Sequence, residues 1–202
     1  MSYPLHCCCE AVRAELDLPT RVNRVVCYCH SCQAFAYFLG READVLDQQG
    51  GSDIVQVRPA SLNFARGAEH IACVRLTQKG TMRWYAKCCR TPIGNTVANP
   101  RVSFIGLIYP FVAGSREERD AAFGPVTGRV FTDGARGEPR PSAMGFARSV
   151  AKMAAIVLGA RISGAYRRTP FFRRDGIPIA TPYVLTVTEY ADVMGRVRAP
   201  CT

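Results

Sequence analysis

The hexapeptide Cys27-Tyr28-Cys29-His30-Ser31-Cys32 sets three thiols at relative positions 0, 2 and 5, directly after the apolar run Val25-Val26. A strand that ends at Cys27 lets the following residues fold back, so that three sulfurs converge on one tetrahedral ion and fill three of its four positions. Soft thiolates select zinc or an iron–sulfur cluster over hard cations. No fourth cysteine stands at ferredoxin spacing, so zinc is the expected ion. His30 is the nearest side chain for the fourth position, yet it lies between two ligands in sequence, where its ring points away. Water or substrate is expected there, and a structural zinc completed by a distant residue is the competing reading.

The chain has 202 residues and ten cysteines, nine of them within the first 89 residues. Cys7 and Cys9 form a second Cys-x-Cys, and Cys88-Cys89 follow an expected strand over residues 81–85. Two such elements, far apart in sequence and each at a strand end, are the make-up of a closed four-ligand zinc site. That site would tie an N-terminal hairpin to the later sheet, with Cys8 facing the other way as a small apolar residue. Cys73 reads as core and Cys201 as a loose terminal thiol, while His6 and His70 stand alone and read as hydrogen-bonded structure. Met1-Ser2-Tyr3-Pro4-Leu5-His6-Cys7 lacks the basic start and apolar run of a secretory signal, so a reducing, cytoplasmic setting is expected. Close-set cysteines in that setting read as ligands or reactive thiols rather than disulfides.

Hydrophobic residues make up 48% of the chain and charged residues 21%, which excludes a disordered or collagen-like chain. Short extended runs at 21–27, 54–57, 61–65, 71–76, 81–85 and 102–109, with a hairpin turn at Gln78-Lys79-Gly80, predict a β-rich first half. The texture changes after Pro110. Ser115-Arg116-Glu117-Glu118 is a capping-box pattern and Gly124-Pro125 a stop, predicting a short helix between them. A longer helix is expected over 142–158, capped by Ser142, ended by Gly159, and burying Met144, Ala147, Val150, Ala154 and Val157. Residues 183–188 alternate like a returning strand. The expected class is mainly β (α+β), with a zinc-binding core over 1–110 and a helical elaboration over 111–202. No apolar stretch reaches the roughly 20 residues a membrane span requires.

The formal charge is +10, from 26 Lys+Arg against 16 Asp+Glu, and only Lys79, Lys87 and Lys152 are lysines. The surplus is therefore guanidinium, suited to carboxylates or phosphates. Arginine interleaves with aromatics in Tyr166-Arg167-Arg168-Thr169-Pro170-Phe171-Phe172-Arg173-Arg174, within residues 161–174. Such a stretch can track a nucleic-acid backbone, although a solvated basic surface is favoured over that reading.

Taken together, the cysteines resemble those of the glutathione-dependent formaldehyde-activating enzyme family, whose wider membership includes a centromere protein. Its members begin Cys-x-Cys-Gly-Ala-Val, continue to Cys-His-Cys-x-x-Cys and later show Cys-x-x-Cys-Gly-Thr-Pro. The counterparts here are Cys7-Cys8-Cys9-Glu10-Ala11-Val12, Cys27-Tyr28-Cys29-His30-Ser31-Cys32 and Ala86-Lys87-Cys88-Cys89-Arg90-Thr91-Pro92, over about the first hundred residues. The resemblance implies a zinc β-tent, a structural zinc on Cys7, Cys9 and Cys89, and an open, catalytic zinc on Cys27, Cys29 and Cys32. Ala86 stands where the family has a cysteine. Either the adjacent Cys88 completes the first site, or that site is incomplete. Glu10 and Arg90 replace glycines, so altered turns are expected.

The implied function is that of a carbon–sulfur lyase-like enzyme, in which a small-molecule thiol bound at the open zinc adds reversibly to a small aldehyde such as formaldehyde. A different class of reading is a non-catalytic zinc module that binds nucleic acid or a protein partner through its arginine-rich C-terminal region.

Overall fold

Two antiparallel strands, β1 (Ser2–His6) and β2 (Arg13–Asp17), come first in a computed structural model that describes residues 2–18 and 21–199. Together with β5 (Leu62–Arg66) they form a three-stranded sheet in the order β1-β2-β5. The larger sheet is built from β3 (Asn23–Cys27), β4 (Ser52–Val57), β6 (Ile71–Arg75), β7 (Met82–Ala86), β8 (Thr91–Thr96), β9 (Ile105–Ile108), β10 (Gly128–Val130) and β11 (Tyr183–Val184). Its order is β10-β3-β4-β9-β8-β7-β6-β11. The six inner strands pair antiparallel, whereas β10 on β3 and β11 on β6 are parallel. Parallel neighbours need long crossovers, and both edge strands come from the part of the chain after residue 110.

Successive side chains of a strand face opposite sides, and this sorts the interior into two cores. Cys73 and Trp84 belong to the side that meets the three-stranded sheet, packed with Leu5, Val12, Leu16 and the rings of Phe111 and Phe171. Val25, Cys27 and Val74 belong to the other side, covered by α1 (His30–Leu39) and α5 (Val187–Arg198) through Phe35, Leu39, Val193 and Val197. The result is three layers, with the cysteine loop of residues 27–32 at the junction of sheet and helix.

The expected mainly β class with added helices is what the structure shows. Among the described residues, α2 (Glu42–Val45), α3 (Arg116–Phe123) and α4 (Phe146–Ile162) complete the helices, and no helix is long and apolar enough to cross a membrane. The capping box holds for α3, where the Glu118 N–H donates to Ser115 Oγ at 3.2 Å and the Glu118 carboxylate accepts the Ser115 N–H at 2.6 Å.

Several expectations are corrected. Helix α4 starts at a Gly145 cap instead of Ser142 and runs through Gly159. Its expected inner stripe faces outward, with Met144 75% and Val150 43% exposed, while Ser149, Ile156 and Ala160 are buried. Apolar residues surround this helix on all sides, so their periodicity does not mark its inner face. The strand expected over 183–188 ends at Val184, because Thr186 and Glu189 form a capping box that starts α5. Of residues 102–109 only Ile105–Ile108 is strand. Cys201 lies outside the described residues.

Arg24 on β3 is 2% exposed and joins three elements. Its Nη2 donates to Asp53 Oδ2 on β4 at 2.7 Å, and its Nη1 donates to the Asp120 carboxylate on α3. The hydrogen bond from the guanidinium holds Asp120 below the usual carboxylate range, so the stability from this pair is present at neutral pH and is lost as pH falls below that range through the lowered folded value. Arg24→Met is expected to cost about 3 kcal/mol, the low end for a broken buried pair because both carboxylates keep some solvent. Urea unfolding reads this as a lowered midpoint at unchanged slope, and a loss under about 1 kcal/mol would reduce Arg24 to a surface partner.

Candidate metal centres

Each of two tight hairpin turns carries a pair of thiols, and the turns face one another. The β1–β2 turn presents Cys7 and Cys9; it is closed by the Cys7 N–H donating to Val12 O at 3.0 Å and the Glu10 N–H donating to Cys7 O at 2.8 Å. The β7–β8 turn presents Cys88 and Cys89. The Sγ atoms lie 3.6 Å apart for Cys7 and Cys9, 3.3 Å for Cys9 and Cys88, 3.9 Å for Cys7 and Cys88, and 3.8 Å for Cys88 and Cys89. A tetrahedral zinc with its usual sulfur distance has sulfur–sulfur edges of about 3.8 Å, so the set fits one such ion.

Hydrogen bonds converge on these sulfurs. The Val12 N–H donates to Cys7 Sγ at 3.2 Å, and Thr91 Oγ1 lies 3.1 Å from Cys89 Sγ. Burial works against ionisation of Cys89, but the Thr91 hydroxyl and the N–H groups of Cys9 and Thr91 outweigh it and bring the thiol down to about 5. Cys7 and Cys88 are pushed up, in each case first by burial. Thr91, which sequence reading left unassigned, also accepts the Cys8 N–H at 3.1 Å. Cys8 itself is exposed, so it faces away as expected but does not pack as an apolar residue.

The place of Ala86 is settled by β7. Ala86 is buried as that strand's last residue, paired with Thr91, and Cys88 is gathered in its stead. The turns do not abandon the glycine conformation either. Glu10 and Arg90 both take φ 58°, the left-handed region that glycine favours. Local contacts offset that strain, since Glu10 pairs with Arg13, and the Arg90 guanidinium lies over the Phe38 ring at 5.4 Å and donates from Nε to Leu39 O at 3.0 Å.

The second group is Cys27 at the end of β3, Cys29 at the N-cap of α1 and Cys32 in its first turn, with all three Sγ atoms within 4.8 Å of one another. Cys27 and Cys29 Sγ are 3.4 Å apart. The helix itself makes this geometry, because the Cys32 and Gln33 N–H groups both donate to Cys29 O and turn Cys32 back toward the strand end. A helix N-terminus also favours negative charge. His30, the first residue of α1, is exposed and stands outside the group.

The three thiols of this group are not equivalent. Hydrogen bonds from Cys27 and Cys29 hold Cys32 well below the usual thiol range, helped by the positive charge of Arg83. Hydrogen bonding to Cys29 and Cys32, together with burial, pushes Cys27 up. Cys29 is pushed up to about 11, since Cys32 and burial outweigh its favourable hydrogen bond with Cys27. Arg83 is 4% exposed, on the helix-facing side of β7, where it lies over the Phe35 ring at 5.4 Å and donates to Asn95 Oδ1 at 3.1 Å. Gln33 completes the surround, its Nε2 donating to Tyr28 O and Gly134 O at 2.8 Å each. Neither Arg83 nor Gln33 was assigned from sequence, although Gln33 directly follows the last cysteine of the motif.

Both groups could therefore hold a soft metal ion, one with four sulfurs and one with three. A family model matches residues 1–182. The chain belongs to the DUF6151 family. That family is described as one of unknown function, and helix α5 of this member lies beyond the matched residues. None of the curated proteins compared matches this DUF6151 chain. Among solved structures it is similar to a Rhodobacter sphaeroides protein from a structural-genomics programme, at 19% identity and a TM-score of 0.39, over 57% of this chain and 92% of that one. The likeness to the formaldehyde-activating enzymes rests on the cysteine motifs alone.

If Cys88 is a ligand and Cys8 is not, Cys88→Ser lowers the metal content of the purified protein by about one ion per chain, while Cys8→Ser leaves it unchanged. Elemental analysis reads both, and the reverse pattern would assign the ligand to Cys8.

Proposed function

We propose that this protein is a zinc-dependent carbon–sulfur lyase-like enzyme, promoting the reversible addition of a small-molecule thiol to a small aldehyde. In that reaction the sulfur–carbon bond forms, the carbonyl becomes a hydroxyl, and the S–H proton ends on the former carbonyl oxygen. The observation that carries the reading is the second group: three sulfurs gathered at a helix N-terminus, with no fourth ligand residue grouped with them among the described residues. Cys7, Cys9, Cys88 and Cys89 would hold a structural zinc, and Cys27, Cys29 and Cys32 would hold a zinc with one position open. Zinc bound there would supply a site at which an incoming thiol is held as thiolate.

The residues around the loop have tasks that follow from their contacts. Arg83 offsets the negative charge of the three sulfurs from within the core. Gln33 fixes the carbonyl of Tyr28 and, through Gly134, the neighbouring turn. That turn begins at Phe131, an exposed aromatic with φ 55°, directly after Val130, which pairs with Cys27. A bulky residue held at positive φ is strained, and such strain gathers at functional sites. Three thiolate donors make the ion only modestly acidic, so much of the rate must come from holding thiol and aldehyde together.

The purified protein is expected to carry about two zinc ions per chain, and Cys29→Ser to carry about one while remaining folded. With formaldehyde and a panel of low-molecular-weight thiols, the wild type should consume at least one thiol as its S-hydroxymethyl adduct forms, followed by NMR. Cys29→Ser should lower that rate by about 100-fold or more. A zinc-loaded wild type that turns over none of the thiols would contradict the activity.

A further inference from the structure

The arginine-rich stretch is absorbed by neither cysteine group, and the fold displays it in a definite way. Phe171 and Phe172 are buried against Trp84, with ring centroids 4.9 and 6.1 Å away, and Phe64 meets Phe171 edge-on at 5.6 Å. Two adjacent aromatic anchors leave the flanking pairs Arg167-Arg168 and Arg173-Arg174 no place but the surface, and all four are exposed. The backbone beyond the anchors is pinned in a tight turn, since the Arg173 N–H donates to Ile177 O at 2.8 Å, the Gly176 N–H to Arg173 O at 2.9 Å and the Ile179 N–H to Phe171 O at 3.0 Å. Gly176, at φ 85°, lies close to Pro100, which brings Arg101 to the same place.

Two cavities flank this turn. One, of about 730 Å³, is lined by Arg101, Tyr166, Arg167, Arg173 and Arg174; the other, of about 370 Å³, by Arg167, Arg168, Arg173 and Arg174. They share Arg167, Thr169, Arg173 and Arg174 as a common ridge, so one extended ligand can follow both. Asp175 supplies the single carboxylate among the lining residues, and its Oδ1 already accepts the Ile177 N–H at 2.9 Å. Among the described residues none of these arginines is ion-paired. Arg161 and Arg167 lie against the Tyr166 ring, 4.4 and 5.6 Å from its centroid, and the hydrogen bond that Arg167 Nε donates to the Tyr166 hydroxyl at 3.3 Å, helped by the positive charge nearby, holds that phenol below its ordinary range.

We propose that this ridge and its two cavities bind the phosphate backbone of single-stranded nucleic acid. Unpaired guanidinium groups match phosphate oxygens in pairs, and guanidinium planes give unstacked bases a surface to stack on. The ligand is a strand because the arginines line two cavities on either side of one ridge, more than one phosphate group can occupy. The concave shape suits a strand better than the flat face of a bilayer.

The test is fluorescence anisotropy with a labelled oligo-dT strand of about 20 nucleotides, titrated with salt from about 50 to 300 mM. Binding is expected at low salt. The double variant Arg173→Gln/Arg174→Gln should weaken it by about 10-fold or more and flatten the dependence of log affinity on log salt by roughly 1.4, two phosphate contacts at about 0.7 each for a single strand. The charge-matched double variant Lys79→Gln/Arg148→Gln should change affinity less than about twofold. Any one of four results overturns the proposal: no binding to the strand, an equal loss in the charge-matched variant, preference for phosphatidylglycerol vesicles over the strand, or full displacement by millimolar inorganic phosphate. Neither Arg173 nor Arg174 belongs to a cysteine group, so zinc content and thiol turnover should be unchanged, which keeps this test separate from that of the lyase reading.

Discussion

Sulfur atoms held within a few ångströms of one another repel once they ionise, and the rest of the structure has to hold them together. Two unit charges 4 Å apart cost about 4 kcal/mol at the effective dielectric near a protein surface, and four thiolates make six such pairs. The thiols of each group are accordingly unequal, with Cys89 in the first and Cys32 in the second held below the usual thiol range. Hydrogen-bond donors and Arg83 stabilise those two sites. Attraction to a divalent cation would outweigh that repulsion, and its binding would couple to folding because the two turns of the first group belong to different sheets.

The same constraint explains how the layers are joined. Cys7 and Cys9 stand on the three-stranded sheet, while Cys88 and Cys89 stand on the larger one, and the shared core of Leu5, Val12 and Trp84 lies behind them. The second group uses a strand end and a helix start instead of two hairpins. Its sulfurs lie on the helical side, so the two candidate ions would serve opposite faces of the large sheet. Strands β10 and β11, at the two edges of that sheet, come from the later half of the chain, which is thereby bound into the same fold. That half also carries the basic surplus, with 15 Lys+Arg against eight Asp+Glu after residue 100.

What was legible in the sequence was short-range chemistry. Cysteine spacing marked both groups, because ligand geometry is decided within a few residues of backbone. Ser115 to Glu118 marked α3 for the same reason, and the equivalent pattern of Thr186 and Glu189 would have marked α5 had the alternation around it not been read as a strand. The N-terminal hairpin was expected without bounds, and β8 and β10 were not expected at all: Pro92 and Gly94 are poor strand formers that β8 accepts where its ladder with β7 shifts, and β10 is only three residues long. The roles of Arg83 and Gln33 depend on strand register and on a turn about a hundred residues away. No local pattern carries that information.

The chain gathers one four-sulfur and one three-sulfur group, each able to hold a metal ion, and the proposed chemistry requires the second to keep a position open to a ligand from outside. Zinc-edge X-ray absorption of the purified protein addresses it directly. The account predicts about two zinc ions per chain with a mean of about 3.5 sulfurs and about 0.5 lighter atoms per ion, the lighter share falling when a thiol is added. Four sulfurs around every zinc before any thiol is added, or a folded protein without metal, would contradict it.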